Sequence, residues 1–146
     1  TRDWHVEPGP HFSEHPDYVD TWPPHCVAGT TGAEFHPGLD DAVEYFDAVI
    51  SKGQHTAAYS GFEGEAEDGR SLVEILHDAG VDEFDIAGLT TDHCVRDTTL
   101  DGRKEGFAVR VLLPLCAGVS QQTTKQALAQ LADAGAELAT SLTGSR

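Results

Sequence analysis

The 146 residues suit one compact domain. At 39% apolar the chain supports a core of mostly Val, Leu, Ile and Ala, because Met is absent and aromatics are few. Nine basic against 25 acidic residues give a formal charge of −16, which opposes nucleic acid and anionic membrane as partners.

Residues 1–40 hold six of the seven prolines, so this stretch is predicted to be neither helix nor central strand but a long ordered loop. Its repeated His, Asp, Trp and Tyr argue against disorder, and long loops in compact domains usually carry function. From about residue 43 the pattern changes. Ala48-Val49-Ile50 reads as a short strand ending at Ser51-Lys52-Gly53. Leu72, Ile75, Leu76 and Ala79 recur at helical spacing, with Ser71 before them and Gly80 as a stop. Phe84 to Leu89 reads as a second strand, residues 93–105 as a helix closing at Gly106, and Ala108 to Leu113 as a third strand. Ala127, Leu128, Leu131 and Ala134 form a last helical stripe ending at Gly135, and Ala136 to Ala139 a last strand. This alternation predicts a single α/β domain over residues 1–146, with a parallel sheet flanked by helices. No apolar run is long enough to span a bilayer, and no signal peptide is read at the start.

In such sheets, chemistry collects where strand C-termini meet helix N-termini. That rule selects Ser51-Lys52-Gly53 and Leu89-Thr90-Thr91-Asp92-His93-Cys94. Cys94 falls in the first turn of a predicted helix, where the dipole and outward N–H groups favour a thiolate and could hold an oxyanion. Position alone leaves a second reading open, a small buried apolar group. Cys26 and Cys116 lack that setting and read as structural. The three cysteines have no tight spacing, which argues against a disulfide framework and makes the cytoplasm the expected compartment. His93 neighbours Cys94, but adjacent helical residues point about 100° apart, so His93 reads as a pocket wall rather than a base. Lys52 is either a fixed positive charge for a thiolate or oxyanion, or an ordinary surface lysine.

The first 25 residues carry a sharper signal. Asp3 and His5 are two apart, so in an extended segment both point to one side. His11 follows after the turn-forming Glu7-Pro8-Gly9-Pro10, and His25 lies in Trp22-Pro23-Pro24-His25-Cys26. A carboxylate with several imidazoles suits Zn²⁺, Fe²⁺ or Mn²⁺ rather than Ca²⁺ or Mg²⁺. His15 and His36 remain open as alternative ligands.

These segments resemble, in order, the bacterial nicotinamidase/pyrazinamidase family of the isochorismatase-like cysteine hydrolases. The resemblance rests on Asp3-x-His5 with His11-Phe12, on Trp22-Pro23-Pro24-His25-Cys26, and on Gly29-Thr30-x-Gly32-Ala33-x-Phe35-His36-Pro37. Lys52-Gly53, Ala58-Tyr59-Ser60-Gly61-Phe62-Glu63-Gly64 and Gly88-Leu89-Thr90-Thr91-Asp92-His93-Cys94-Val95 continue it. The resemblance implies a doubly wound, mostly parallel six-stranded sheet and hydrolysis of nicotinamide to nicotinate and ammonia in NAD salvage, with pyrazinamide as a further substrate. It implies Cys94 as nucleophile, Lys52 as triad lysine, the amides of Thr90 and Cys94 as oxyanion hole beside a cis Leu89–Thr90 bond, and Trp22, Tyr59 and His93 around the ring. Asp3, His5, His11 and His25 would bind one divalent transition metal. Relatives acting on carbamoyl or ureido groups, and a remnant that binds metal and ring without turnover, are the competing expectations. The partner expected is a small aromatic amide; a homo-oligomer is compatible with the sequence, which does not fix it. The third triad member in this resemblance is an aspartate ending the first, central strand. That strand is expected upstream of Thr1, so the 146 residues read as the C-terminal three-quarters of a longer protein.

Overall fold

A computed structural model describes residues 1–6, 9 and 11–142. The turn read at Glu7-Pro8-Gly9-Pro10 lies outside the described residues except for Gly9. The chain falls into two compact units, the first spanning Thr1–Ser71 and the second starting at Leu72.

In the first unit, β1 (Arg2–Asp3) and β2 (Ser51–Lys52) pair in parallel, with Arg2 opposite Ser51 and Asp3 opposite Lys52. The expected strand at Ala48–Ile50 is thus displaced towards its C-terminal end. Only the Ile50 carbonyl joins the ladder, accepting from the Arg2 amide at 2.8 Å, while its side chain is buried. The proline-rich stretch is a folded loop, as read. Bridges His5–Val27 and Phe12–Trp22 tie it together. Between residues 13 and 22 the chain turns around Asp17, whose carboxylate accepts from the amides of Val19, Asp20 and Thr21, each at 2.9 Å. A short helix the sequence did not announce, α1 (Asp40–Val43), follows the loop.

The second unit carries the expected alternation. It contains α2 (Leu72–Asp78), β3 (Glu83–Leu89), α3 (Arg96–Lys104), β4 (Ala108–Ala117), α4 (Gln121–Asp133) and β5 (Glu137–Ala139). The strands form a parallel sheet in the order β3-β4-β5, so the α/β class is the one predicted. β4 runs past its predicted end at Leu113. Pro114 cannot donate to a regular ladder, but here it lies in a bulge. Ile86 pairs with Val111 and Gly88 with Cys116, so Leu112 to Leu115 bow out against Ala87. Val95, Val111 and Leu131 are buried together, with Ile86, Leu100, Leu113, Leu128 and Leu138 packed around them. Leu131 is 0% exposed, and burying such a side chain contributes about 1.5–3 kcal/mol. Ser120 caps α4 by accepting from the Thr123 amide at 3.2 Å. Among the described residues, no helix is long and apolar enough to cross a membrane.

Candidate active site

In the first unit, parallel pairing of β1 and β2 sets Asp3 beside Lys52. The Lys52 ammonium is 3% exposed, donates to the Asp3 carboxylate, and reaches the Ala58 carbonyl at 3.2 Å. A buried cation of this kind persists only when paired, because breaking such a pair costs about 3–5 kcal/mol. The surface reading of Lys52 is therefore excluded.

Two residues beyond Asp3, His5 turns into a group with His11 and His25 whose ligand atoms all lie within 4.8 Å of one another. His15 and His36 are exposed and outside this group. His36 instead accepts from the Gly38 amide at 3.0 Å, capping a short 3₁₀ turn. Asp3, expected as the fourth ligand, is also outside the group and engaged by Lys52.

The tautomers of the group follow from its partners. His5 Nδ1 lies 2.7 Å from the Gly53 carbonyl and His25 Nδ1 lies 2.8 Å from the Pro23 carbonyl. A carbonyl only accepts, so each Nδ1 carries a proton, and in the neutral ring Nε2 is then the atom with the lone pair. Those two Nε2 atoms lie 3.2 Å apart. Two lone pairs at that distance repel unless a cation sits between them. His11 adds a buried Nδ1 with no hydrogen-bond partner, and a buried polar atom without a partner is costly. Burial, with mutual repulsion from His5 and His25, lowers the His11 pKa; burial is also the chief cause of the lowered His5 pKa. Neutral imidazoles with backbone-fixed tautomers are the form that binds a divalent transition metal. The three histidines fit one.

Gly53 makes this arrangement possible. It has φ +74°, and a Cβ there would come within 2.4 Å of the His5 ring. Near the same histidines, Trp22 Nε1 donates to the Tyr59 hydroxyl at 2.9 Å, and that hydroxyl donates to the Val19 carbonyl at 2.9 Å. The Tyr59 and Ser60 amides are held by Glu63 Oε2 at 2.9 and 2.8 Å, within a capping box started by Ser60.

In the second unit, β3 ends at Leu89 and the Leu89–Thr90 peptide is cis, as the resemblance implied. The chain then makes a π-type turn over Thr91–Val95, closed by the Val95 amide on the Thr90 carbonyl at 3.0 Å, before α3 begins. Such turns recur at functional sites. Cys94 lies within it, half-buried and outside any disulfide. His93 is buried, with Nδ1 3.3 Å from Asp92 Oδ1 and 3.4 Å from Thr90 Oγ1.

Sequence reasoning assigns Asp92 no role. In the structure it is 0% exposed and takes hydrogen bonds from the start of α4. Burial alone would raise its pKa. The Thr123 hydroxyl and the Val119 and Ser120 amides outweigh that and hold it well below the usual carboxylate range. No local signal announces this, since the donors lie about thirty residues downstream, beyond the reach of helical spacing rules.

The Isochorismatase domain family matches residues 5–142. Over 138 residues the chain is 53% identical to the nicotinamidase/pyrazinamidase of Mycobacterium tuberculosis, covering 94% of this chain and 73% of that protein. A solved L. infantum protein in complex with nicotinate is 36% identical at a TM-score of 0.77, covering 94% of this chain and 68% of its own. The pyrazinamidase of Pyrococcus horikoshii in complex with zinc is 36% identical at a TM-score of 0.73, covering 94% and 72% respectively.

Proposed function

We propose that this chain, which belongs to the isochorismatase domain family, hydrolyses nicotinamide to nicotinate and ammonia, with pyrazinamide as a second substrate. The observation that carries the reading is the 53% identity, along nearly the whole chain, to a nicotinamidase/pyrazinamidase. The nicotinate held by the L. infantum structure supports a pyridine ring as the recognised group. The family match runs across both units, which supports reading them as parts of one hydrolase domain.

In this reading Cys94 is the nucleophile. The thiol sulfur adds to the amide carbon as the thiol proton passes to the amide nitrogen, and the oxyanion is held by the amides of Thr90 and Cys94. The C–N bond then breaks and ammonia leaves a thioester. Water then adds to the thioester carbon, releasing nicotinate and returning the thiol. Lys52, held by Asp3, is a fixed positive charge for the anionic stages. His5, His11 and His25 would hold a divalent transition metal (Zn, Fe or Mn), with Asp3 as a fourth ligand. When bound, that ion supplies Lewis acidity and a ligand position for the ring nitrogen. Trp22, Tyr59 and His93 would line the ring. The reaction serves NAD salvage, and three cysteines outside any disulfide suit a reducing cytoplasm.

Ammonia and nicotinate released from nicotinamide, measured beside metal content, test this directly. Stoichiometric release that stops on thiol alkylation is expected. Turnover of carbamoyl or ureido substrates with nicotinamide untouched would replace the reading, and ring binding without release would make the chain a non-catalytic binder.

A further inference from the structure

Asp92 is the one carboxylate in the Thr91–Val95 turn, it is 0% exposed, and nothing in the proposed reaction uses it. Every hydrogen bond the structure gives it from another segment comes from the start of α4. The Val119 amide lies 3.0 and 3.1 Å from its two oxygens, the Ser120 amide 3.3 Å from Oδ2, and the Thr123 hydroxyl donates to Oδ2 as well. The Val119 and Ser120 amides lead into α4 and Thr123 lies in its first turn, so the carboxylate sits where the helix dipole favours negative charge. The packing at this junction is tight, since a Cβ on Gly118 would come within 1.9 Å of Thr124 Oγ1 and 3.3 Å of Asp92 Oδ1. Asp92 therefore staples the turn that carries Cys94 onto a thirteen-residue helix that is itself anchored in the core by Ala127 and Leu131.

We propose that Asp92 is a positioning residue: by fixing the Thr91–Val95 turn to the start of α4, it sets the direction of the Cys94 thiol and of the Cys94 amide. Its charge is matched by α4 and its oxygens by three donors, so the carboxylate costs the neighbouring thiol little while removing the freedom of the turn. An asparagine cannot stand in for it. Both carboxylate oxygens accept, from the Val119 and Ser120 amides and the Thr123 hydroxyl, whereas an asparagine offers one acceptor oxygen and no negative charge to the start of α4.

This inference rests on Cys94 being the reactive thiol, so its test uses a readout that does not need nicotinamide turnover. The full chain is treated with iodoacetamide below its unfolding temperature, and modification of Cys94, Cys26 and Cys116 is followed separately by peptide mass spectrometry. Asp92→Asn should slow Cys94 at least tenfold while Cys26 and Cys116 stay within twofold. Thr123→Val, which removes one donor without touching the turn, should slow Cys94 severalfold, and Thr123→Ser should restore the parental rate. If nicotinamide is turned over, kcat should fall in parallel with KM held within threefold. If Asp92→Asn does not fold, the Thr123 pair decides. An unchanged or faster Cys94 rate in Thr123→Val, or in both variants, overturns the proposal. A parent that alkylates as expected but releases no ammonia would overturn the proposed reaction and leave the positioning role standing.

Discussion

The two units hold their chemistry in opposite ways. The histidine group of the first unit stands on loop backbone. Single carbonyls, from Gly53 and Pro23, fix the ring tautomers, and one φ +74° glycine makes room for a ring. The Cys94 turn of the second unit stands on regular elements. It leaves a seven-residue parallel strand, enters α3, and is tied to α4 through Asp92. A loop can bring together ligands that are far apart in sequence, but each depends on one or two backbone contacts. A strand–turn–helix places few groups, each backed by the core. Metal affinity and thiol reactivity should therefore respond to different substitutions.

The sharpest separation is expected from Cys94→Ala. Deamidation should fall by about three orders of magnitude or more, while metal content by elemental analysis stays at the parental level. Loss of metal in this variant would break the comparison. Next in size, His5→Ala and His11→Ala should weaken metal binding by more than about 100-fold and take activity with it, and chelators should reproduce the effect; His25→Ala should weaken it less, because water can replace that ligand. Cys94 alkylation should be unmoved in all three. A smaller effect is expected from Tyr59→Phe, which removes the hydroxyl between Trp22 Nε1 and the Val19 carbonyl. Stability should drop by about 1 kcal/mol, seen in thermal unfolding, and KM for nicotinamide should rise with kcat nearly constant.

The smallest effect concerns pH. Burial lowers the pKa of His5 and His11, so both stay neutral in the folded chain at pH values where the unfolded chain takes up protons. The unfolded form then binds more protons below the ordinary histidine value of about 6.5, and folding stability is present above that value and lost as pH falls through it. Unfolding temperature should decline between about pH 7.5 and 5.5. Replacing His11 by Gln should flatten the decline; an unaltered slope would show that these rings do not carry it.

Much of the second unit was legible from sequence because its signals are local. Leu72, Ile75 and Leu76, or Ala127 and Leu131, declare a helix face within a few residues, and Gly80, Gly106 and Gly135 close the helices where expected. The extension of β4 was hidden because Pro114 reads as a stop, and only the bulge against Ala87 accommodates it. In the candidate site, the histidines stood out by density, and the structure groups His5, His11 and His25 while leaving His15 and His36 outside. What sequence could not supply were partners set by register and crossover. Asp3 meets Lys52 only because β1 and β2 pair in parallel across 49 positions. Asp92 meets Thr123 only because β4 returns the chain to the same end of the sheet.

The geometry at Gly53 has a consequence for mutational tolerance. Gly69 also adopts a positive φ, +83°, but a Cβ there would meet nothing within 4 Å. In a saturation library, position 69 should accept Asn and Asp, which enter the left-handed region at modest cost. Position 53 combines that backbone with the His5 ring at 2.4 Å, so no residue with a side chain suits both. Selection for metal retention should return glycine alone at 53, a position whose own missing side chain is what the neighbouring imidazole occupies.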